Sequence, residues 1–535
     1  MCRRLATATA VACALAGLAL LAGPAPAADY AQEAELALTG NAPGHELGAA
    51  VAVSGDGTVA VAGVPGYDTA SPSVANRGAI AFYSRSGSTW TFEMAIPGAA
   101  TASLGLGTAV ALSADGTVAV AGGVGAGAGQ VVVYTPLTGA TSFGSRALWV
   151  AQQTITLGGG DTPQTGDAFG SQVAVSEDGS RIVIGASGRS VSVGQLFVYV
   201  RSGASWTREQ ALSRAGGGSS DALGDAVAIS GDGSTIIAGY GAQAGQDGGF
   251  AVWTRSGATW TQQATVAGAA AGQQLGRAVA ISRDGATAVV TRKTIGGDAL
   301  VYTRSGATWS LAQTLTGYGD RTSMSADGAV IAAANTSASA NRGEVAVYTR
   351  SGAAYAKTQA LTLAGANANT EWGVPGLSAD GSTLLIGARY ADGTGLASSD
   401  NRGRVIAYAQ PRATSGGSGG TPAPSGGSGA AGDGGAAAPT AAVTGPAKPA
   451  VTWKRKGARV TATVTPVTGV AYAIAATAKG ATARGACKAK TVKVKGKPKA
   501  TVVCTLKLRK GAWVAAVTPS AGGVAGTAAT KPFRV

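Results

Sequence analysis

The chain has 535 residues, 84 of them glycine and only 13% charged, with a formal net charge of +15. That length holds two or three domains, and many short apolar runs between Gly, Ser and Asp, with little helical periodicity, exclude a helical architecture. A single histidine, His45, argues against a histidine-based metal centre or a Ser/His/Asp triad.

Residues 1–27 read as an export signal. Arg3 and Arg4 are its charged start, "LATATAVACALAGLALLAG" its apolar core, and Ala25-Pro26-Ala27 a small-residue cleavage site. No later stretch approaches the ~20 apolar residues of a membrane span. The mature protein is therefore expected outside the cell, secreted or held non-covalently at the wall, with no transmembrane segment. Cys2 and Cys13 leave with the signal.

The next element, "DYAQEAELALTG" at residues 29–40, alternates polar and apolar positions and has no neighbouring partner strand. A repeat then begins. "VAVSGDGTVAVAG" from Val51 returns as "VALSADGTVAVAG" from Val110, "VAVSEDGSRIVIG" from Val173 and "VAISGDGSTIIAG" from Val227. Weaker copies start at Val279, Thr322 and Pro375. The Asp-Gly pair recurs at Asp56, Asp115, Asp178, Asp232, Asp284, Asp327 and Asp380, so there are seven units. Each has a second half, such as "GFAVWTRSGATWT". One unit thus reads as four strands, with Asp-Gly and Ser-Gly hairpin turns that use the positive φ open to glycine.

The first three strands are apolar on both faces, as in sheets stacked between neighbours. The fourth, as in "WTQQATV" from Trp260, is half polar and belongs outside. Radially repeated four-stranded sheets make a seven-bladed β-propeller. The seventh unit lacks its fourth strand, and "YAQEAEL" at Tyr30 aligns with "YAKTQAL" at Tyr355. The N-terminal segment is therefore expected to complete blade seven against Val405–Ala409. The competing reading, an open solenoid, leaves it unpaired with an exposed edge.

"FGSQVAVS" from Phe169 and "VAVAGVPG" ending at Gly66 resemble the two halves of the FG-GAP repeat, in its bacterial secreted form, over residues 28–410. Integrin α chains carry this repeat in a seven-bladed propeller. The resemblance implies a ligand-bearing face and, in some copies, calcium in the turn between the first two strands. Here that turn is "SGDG", "SADG", "SEDG" or "SRDG". One carboxylate does not build a calcium cage, so the turns read as structural and no metal or cofactor is expected.

Loop length breaks the repeat. Between strands two and three, unit one has "VPGYDTASPSVANR" and unit seven "ARYADGTGLASSDNR". Ring closure would make these neighbours, with Tyr67, Asp68, Tyr390, Asp392 and Asp400 as a candidate recognition patch; the bland alternative is that the loops seal the junction. No carboxylate pair stands out as catalytic. The Arg-Ser-Gly turns read as structural.

Residues 411–450 form a Gly/Ser/Pro/Ala-rich tether. Residues 451–535 carry 17 Lys/Arg and no Asp or Glu, so the whole excess charge sits there. Short strands such as "RVTATVTPV" and "AYAIAATA" predict a small immunoglobulin- or fibronectin III-like β-sandwich, with a Cys487–Cys504 disulfide as the default for an exported domain. Lys488, Lys490, Lys493, Lys495, Lys497 and Lys499 are either an edge guarded by charge or a patch for an anionic cell-envelope polymer; export argues against nucleic acid. The function expected from sequence is binding or adhesion by a non-catalytic propeller, with an unknown protein or glycan ligand. The alternatives are a lyase or hydrolase acting on polysaccharide and a purely structural spacer.

Overall fold

The computed structural model describes residues 29–410, apart from short loop stretches between 71 and 399, together with the backbone of the strands between residues 451 and 534. The export signal and the tether lie outside the described residues. The chain divides into two units near residue 415, considered separately below.

In the first unit, seven four-stranded antiparallel sheets follow one another along the chain. Blade one holds Val51–Val53, Val59–Val64, Ala79–Ser86 and Thr89–Pro97, from innermost to outermost. Blades two to six span residues 109–155, 169–212, 226–267, 279–316 and 321–361 in the same order. Blade seven has Trp372–Leu377, Thr383–Ala388 and Arg404–Ala409, and its outermost strand is Ala31–Glu35. The expected closure is thus present. Ala31 pairs with Ala409, Gln32 with Tyr408 and Glu35 with Ile406, and the Leu36 N–H donates to the Val405 carbonyl at 2.8 Å. Each outer strand bulges by one residue at the same place, at Glu93, Gln152, Glu209, Gln263, Ala312 and Thr358. The closing strand has the same bulge, at Glu33, so it is a repeat element displaced to the other end of the chain.

The second and third strands are buried on both faces, as Val59–Val64 shows, and stack between the neighbouring sheets. Apolar side chains of adjacent blades share one cluster; Phe82 lies stacked on Trp149 across the junction of blades one and two.

Two glycines set how closely blades approach. A Cβ on Gly63 would lie 1.9 Å from the Gly107 carbonyl oxygen, and Gly122, Gly185, Gly239 and Gly387 meet Gly170, Gly224, Gly276 and Gly48 in the same way. The glycine of "VAVAG" in one blade therefore packs on the glycine of Leu-Gly or Phe-Gly in the next. In blade five Thr291 replaces the first glycine, and the following blade has Tyr318-Gly319 in place of Leu-Gly, where a Cβ on Gly319 would lie 2.2 Å from the Arg292 carbonyl oxygen instead.

The Asp-Gly turns form one ring on the face opposite the loops. Gly55 N–H donates to Ala114, Ala114 to Glu177 and Glu177 to Gly231. Asp232 then donates to Arg283, Arg283 to Ala326, Ala326 to Ala379, and Asp380 back to Gly55. Glu177 and Arg283 form a 2.6 Å ion pair across blade four, and a Cβ on Gly231 would lie 2.4 Å from the Glu177 Cδ. Within each turn a buried serine donates to the aspartate at 2.5–2.7 Å. The aspartate also receives a main-chain N–H, as from Ser234 at 2.9 Å to Asp232. In the Arg-Ser-Gly turns, Arg201, Arg304 and Arg350 each donate to the glycine carbonyl two residues on.

The second unit is all-β. Its longest strand, Ala481–Val494, pairs with Ala471–Ala478 over its first part and with Lys497–Lys507 over the rest. Cys487 and Cys504 are direct register partners.

Candidate functional site

In every blade the innermost strand runs toward the Asp-Gly ring, so the opposite face carries the loops between strands two and three and the connections between blades. Blades seven and one meet there. The segment after the closing strand, residues 41–47, lies between their loops. Gly44 N–H donates to the Asp400 carbonyl and Glu46 N–H to Asn401, while Gly66 N–H donates to His45. The two long loops therefore flank one shared segment.

The five predicted loop residues are brought to this seam, but their carboxylates are engaged. Asp68 Oδ1 accepts the Asn76 N–H at 2.6 Å. Asp392 Oδ1 accepts the N–H groups of Asp400 and Asn401 at 2.8 and 3.2 Å, closing the equivalent loop of blade seven. Asp400 pairs with Arg402 at 2.5 Å, and Arg402 also donates to the Asn41 carbonyl. Tyr67 packs its ring on His45 at 4.8 Å, and Arg389 lies over the Tyr390 ring at 4.9 Å. Asp68 remains exposed, and the two tyrosines are half-buried. The loop tips, 71–72 and 393–399, lie outside the described residues.

His45 is buried, and its Nδ1 accepts the Ala42 N–H at 3.1 Å. Burial lowers its pKa; Asp68 opposes this and Arg402 adds to it.

The sequence reading missed the channel. The innermost strands enclose a cavity of about 240 Å³ that opens on the loop face, with no Asp-Gly turn residue in its wall. The residue after Leu-Gly or Phe-Gly borders it or lies beside it. That residue is Ala49, Thr108 and Ser171 in blades one to three, then Asp225 and Arg277 in blades four and five; blade six has Asp320-Arg321. At this position of the repeat charge enters only on this arc, a break visible in the aligned sequence. Arg277 lies 3.5 Å from Asp320, whose other oxygen receives Thr336. Arg389 is held by Glu46 through two hydrogen bonds of 2.9 and 2.7 Å. Arg321 is exposed to the cavity. Burial raises the Asp225 carboxyl above its ordinary value, a Ser187 hydrogen bond offsetting part of this.

Among the described residues no group of three or more His, Cys, Asp or Glu side chains converges as a metal site. The turn aspartates instead serve the turns themselves.

No protein-family model and no curated protein matches the chain. Among solved structures it is similar to a chain of the mitotic checkpoint complex at 13% identity, covering 73% of this chain and 98% of that one, with a TM-score of 0.46. It is similar to the β-propeller domain of the Trilobed protease from Pyrococcus furiosus at 7% identity, 63% and 90% coverage and a TM-score of 0.34. For TolB from Acinetobacter baumannii the values are 11%, 62%, 76% and 0.33. The class defined by strand order is a seven-bladed β-propeller closed by its N-terminal strand.

Proposed function

We propose that this chain is an exported, non-catalytic binding protein of the FG-GAP type, with recognition on the loop face of its propeller. The observation that carries the reading is the seam between blades seven and one. There Tyr67, Tyr390 and Asp68 flank the shared segment 41–47, on the face onto which the channel opens. The seven turn carboxylates, by contrast, are spent on local hydrogen bonds. Export rests on the apolar N-terminal signal.

The basic module supplies a second contact, to an anionic polymer of the cell envelope. The register of Ala481–Val494 against Lys497–Lys507 puts positions 488, 490, 497 and 499 on one face and position 493 on the other; Lys495 lies outside the described residues. Direct opposition of Cys487 and Cys504 fits a disulfide, since opposed residues lie about 4.5–5.5 Å apart and bridged Cα atoms about 4.4–6.8 Å.

The test is an array of glycans and matrix proteins probed with the mature chain. Tyr390→Ala and Asp68→Asn together should abolish the signal, because Asn keeps the loop-capping acceptor while removing charge. An undiminished signal from that variant rejects the seam. Release of new reducing ends or unsaturated uronates from a polysaccharide panel would make the chain a lyase or hydrolase instead.

A further inference from the structure

The channel mouth is chemically unlike the rest of the ring. Three guanidinium groups, Arg277, Arg321 and Arg389, come from blades five, six and seven and line one arc of the cavity. Two are fixed from the side by carboxylates that do not themselves line it, Asp320 and Glu46. Such tethering pre-positions an arginine, so less freedom is lost when a ligand arrives. Facing them are Asp225, Gln172 and Thr108, groups that accept from and donate to hydroxyls. The volume of about 240 Å³ is below the roughly 300–1,000 Å³ of drug-sized pockets and suits a single small ring. The opposite end is girdled by the hydrogen-bonded turns, none of which lines the cavity, so the loop face is the approach.

We propose that this mouth binds a hydroxylated carboxylate of monosaccharide size, such as a uronic acid. Arg277, Arg321 and Arg389 receive the carboxylate, and Asp225 and Gln172 bond the hydroxyls. Planar guanidinium forks suit carboxylates because paired N–H donors match the two oxygens. The carboxylate belongs either to a free sugar acid or to the end of an acidic polysaccharide. The inference deepens the binding reading and rests on it for its ligand class, but it concerns the channel and not the seam loops.

The experiment titrates the full mature chain calorimetrically with glucuronate, glucose and a galacturonate trimer. Glucuronate should bind and glucose should not. Arg321→Gln should weaken glucuronate at least about tenfold, the effect of losing about 1.4 kcal/mol from a charged contact. Arg277→Gln and Arg389→Gln provide two further variants, and an unchanged thermal melt in any one of them keeps the comparison valid. Trimer binding as tight as or tighter than glucuronate assigns a polysaccharide end, and weaker binding a free sugar acid; both support the site. Equal affinity for glucose and glucuronate, no glucuronate binding, or indifference to all three substitutions overturns it. An array signal that survives while the arginines prove dispensable discards the channel site and leaves the seam reading standing. A blank array with arginine-dependent glucuronate binding does the reverse.

Discussion

Gln359 of blade six holds both main-chain polar groups of Tyr30, the residue just before the closing strand. Its Oε1 accepts the Tyr30 N–H and its Nε2 donates to the Tyr30 carbonyl, each at 2.8 Å. The same clamp joins Gln153 to Trp206, Gln210 to Trp260 and Gln313 to Tyr355. At the seam between blades seven and one the clamp position is Ala34. The bulge residue acts instead: Glu33 pairs with Arg85 at 2.5 Å and accepts the Trp90 indole N–H at 3.0 Å. The closing strand is therefore bound by side chains of the blades on both sides, beyond its own ladder.

Gln359→Ala leaves two partly buried main-chain groups without that partner. Each such group costs about 1–3 kcal/mol. With two such groups, urea unfolding of the variant should show a loss of about 2 kcal/mol or more, matched by Gln210→Ala at an internal junction. A much smaller loss at Gln359 than at Gln210 would mean that the closing strand is not integral to the native ring.

The glycine contacts between blades predict a sharper effect. Gly239→Ala would place a methyl carbon 1.9 Å from the Gly276 carbonyl oxygen, with backbone on both sides. Blades four and five must then separate, so the loss should exceed the ~1 kcal/mol of an ordinary substitution by several-fold. Gly257→Ala is a useful contrast. Its φ of +62° is strained for alanine but nothing lies within 4 Å, so its loss should stay near the ~1–2 kcal/mol of a left-handed residue. Thermal melts that rank the two the other way would refute the contact as the limit on blade spacing.

The turn carboxylates predict acid sensitivity. The Ser282 hydroxyl holds Asp284 below the ordinary carboxylate range against partial burial. For Asp56, Asp178 and Asp232, burial pushes upward but serine and main-chain hydrogen bonds outweigh it. A carboxyl whose folded value is depressed stabilises fully above its unfolded value, near ~3.9, and loses that contribution as pH falls through the folded value. Unfolding free energy should therefore be flat in this respect from pH 7 to 5 and fall below about 4. Ser282→Ala should flatten part of that fall and cost about 1 kcal/mol at neutral pH. An equal acid slope in the variant would assign the sensitivity elsewhere.

The architecture was legible because its signals are local and repeated. Asp-Gly turns announce hairpins wherever they occur, and the unmatched "YAQEAEL" had one vacancy to fill. What escaped depends on residues about fifty positions apart. The glycine of "VAVAG" touches a glycine of the next unit only once the sheets are stacked around an axis. The turn serines, Ser54 to Ser378, stand beside every Asp-Gly pair in the sequence, yet their role needs the hairpin geometry to be seen. At the site, Asp68 and Asp392 look in sequence like ligand groups, but a short carboxylate beside a loop closes its own backbone equally well. Arg277 and Arg321 escaped because the repeat was read for what it preserves; their information lies where it departs.

His45 gives the seam a dependence on pH that the other junctions lack. Its Nδ1 accepts the Ala42 N–H and its ring packs on Tyr67, and burial lowers its pKa from the ordinary value near 6.5. The closed seam therefore holds neutral imidazole, while an opened seam takes a proton more readily. By linkage the His45 contribution is complete above about 6.5 and declines as pH falls below it, at most tenfold in the opening constant per unit for one proton. The amides of Leu36, Glu46 and Leu47, which bond to Val405, Asn401 and Arg402, report the opening. Their hydrogen-exchange protection, corrected for intrinsic rate, should fall between pH 7.5 and 5.5, while the Ser230 amide in the turn of blade four should not change. His45→Gln, which cannot titrate, should make the three amides indifferent to pH over that range. A fall that persists in His45→Gln would place the proton on another group and remove His45 as the cause.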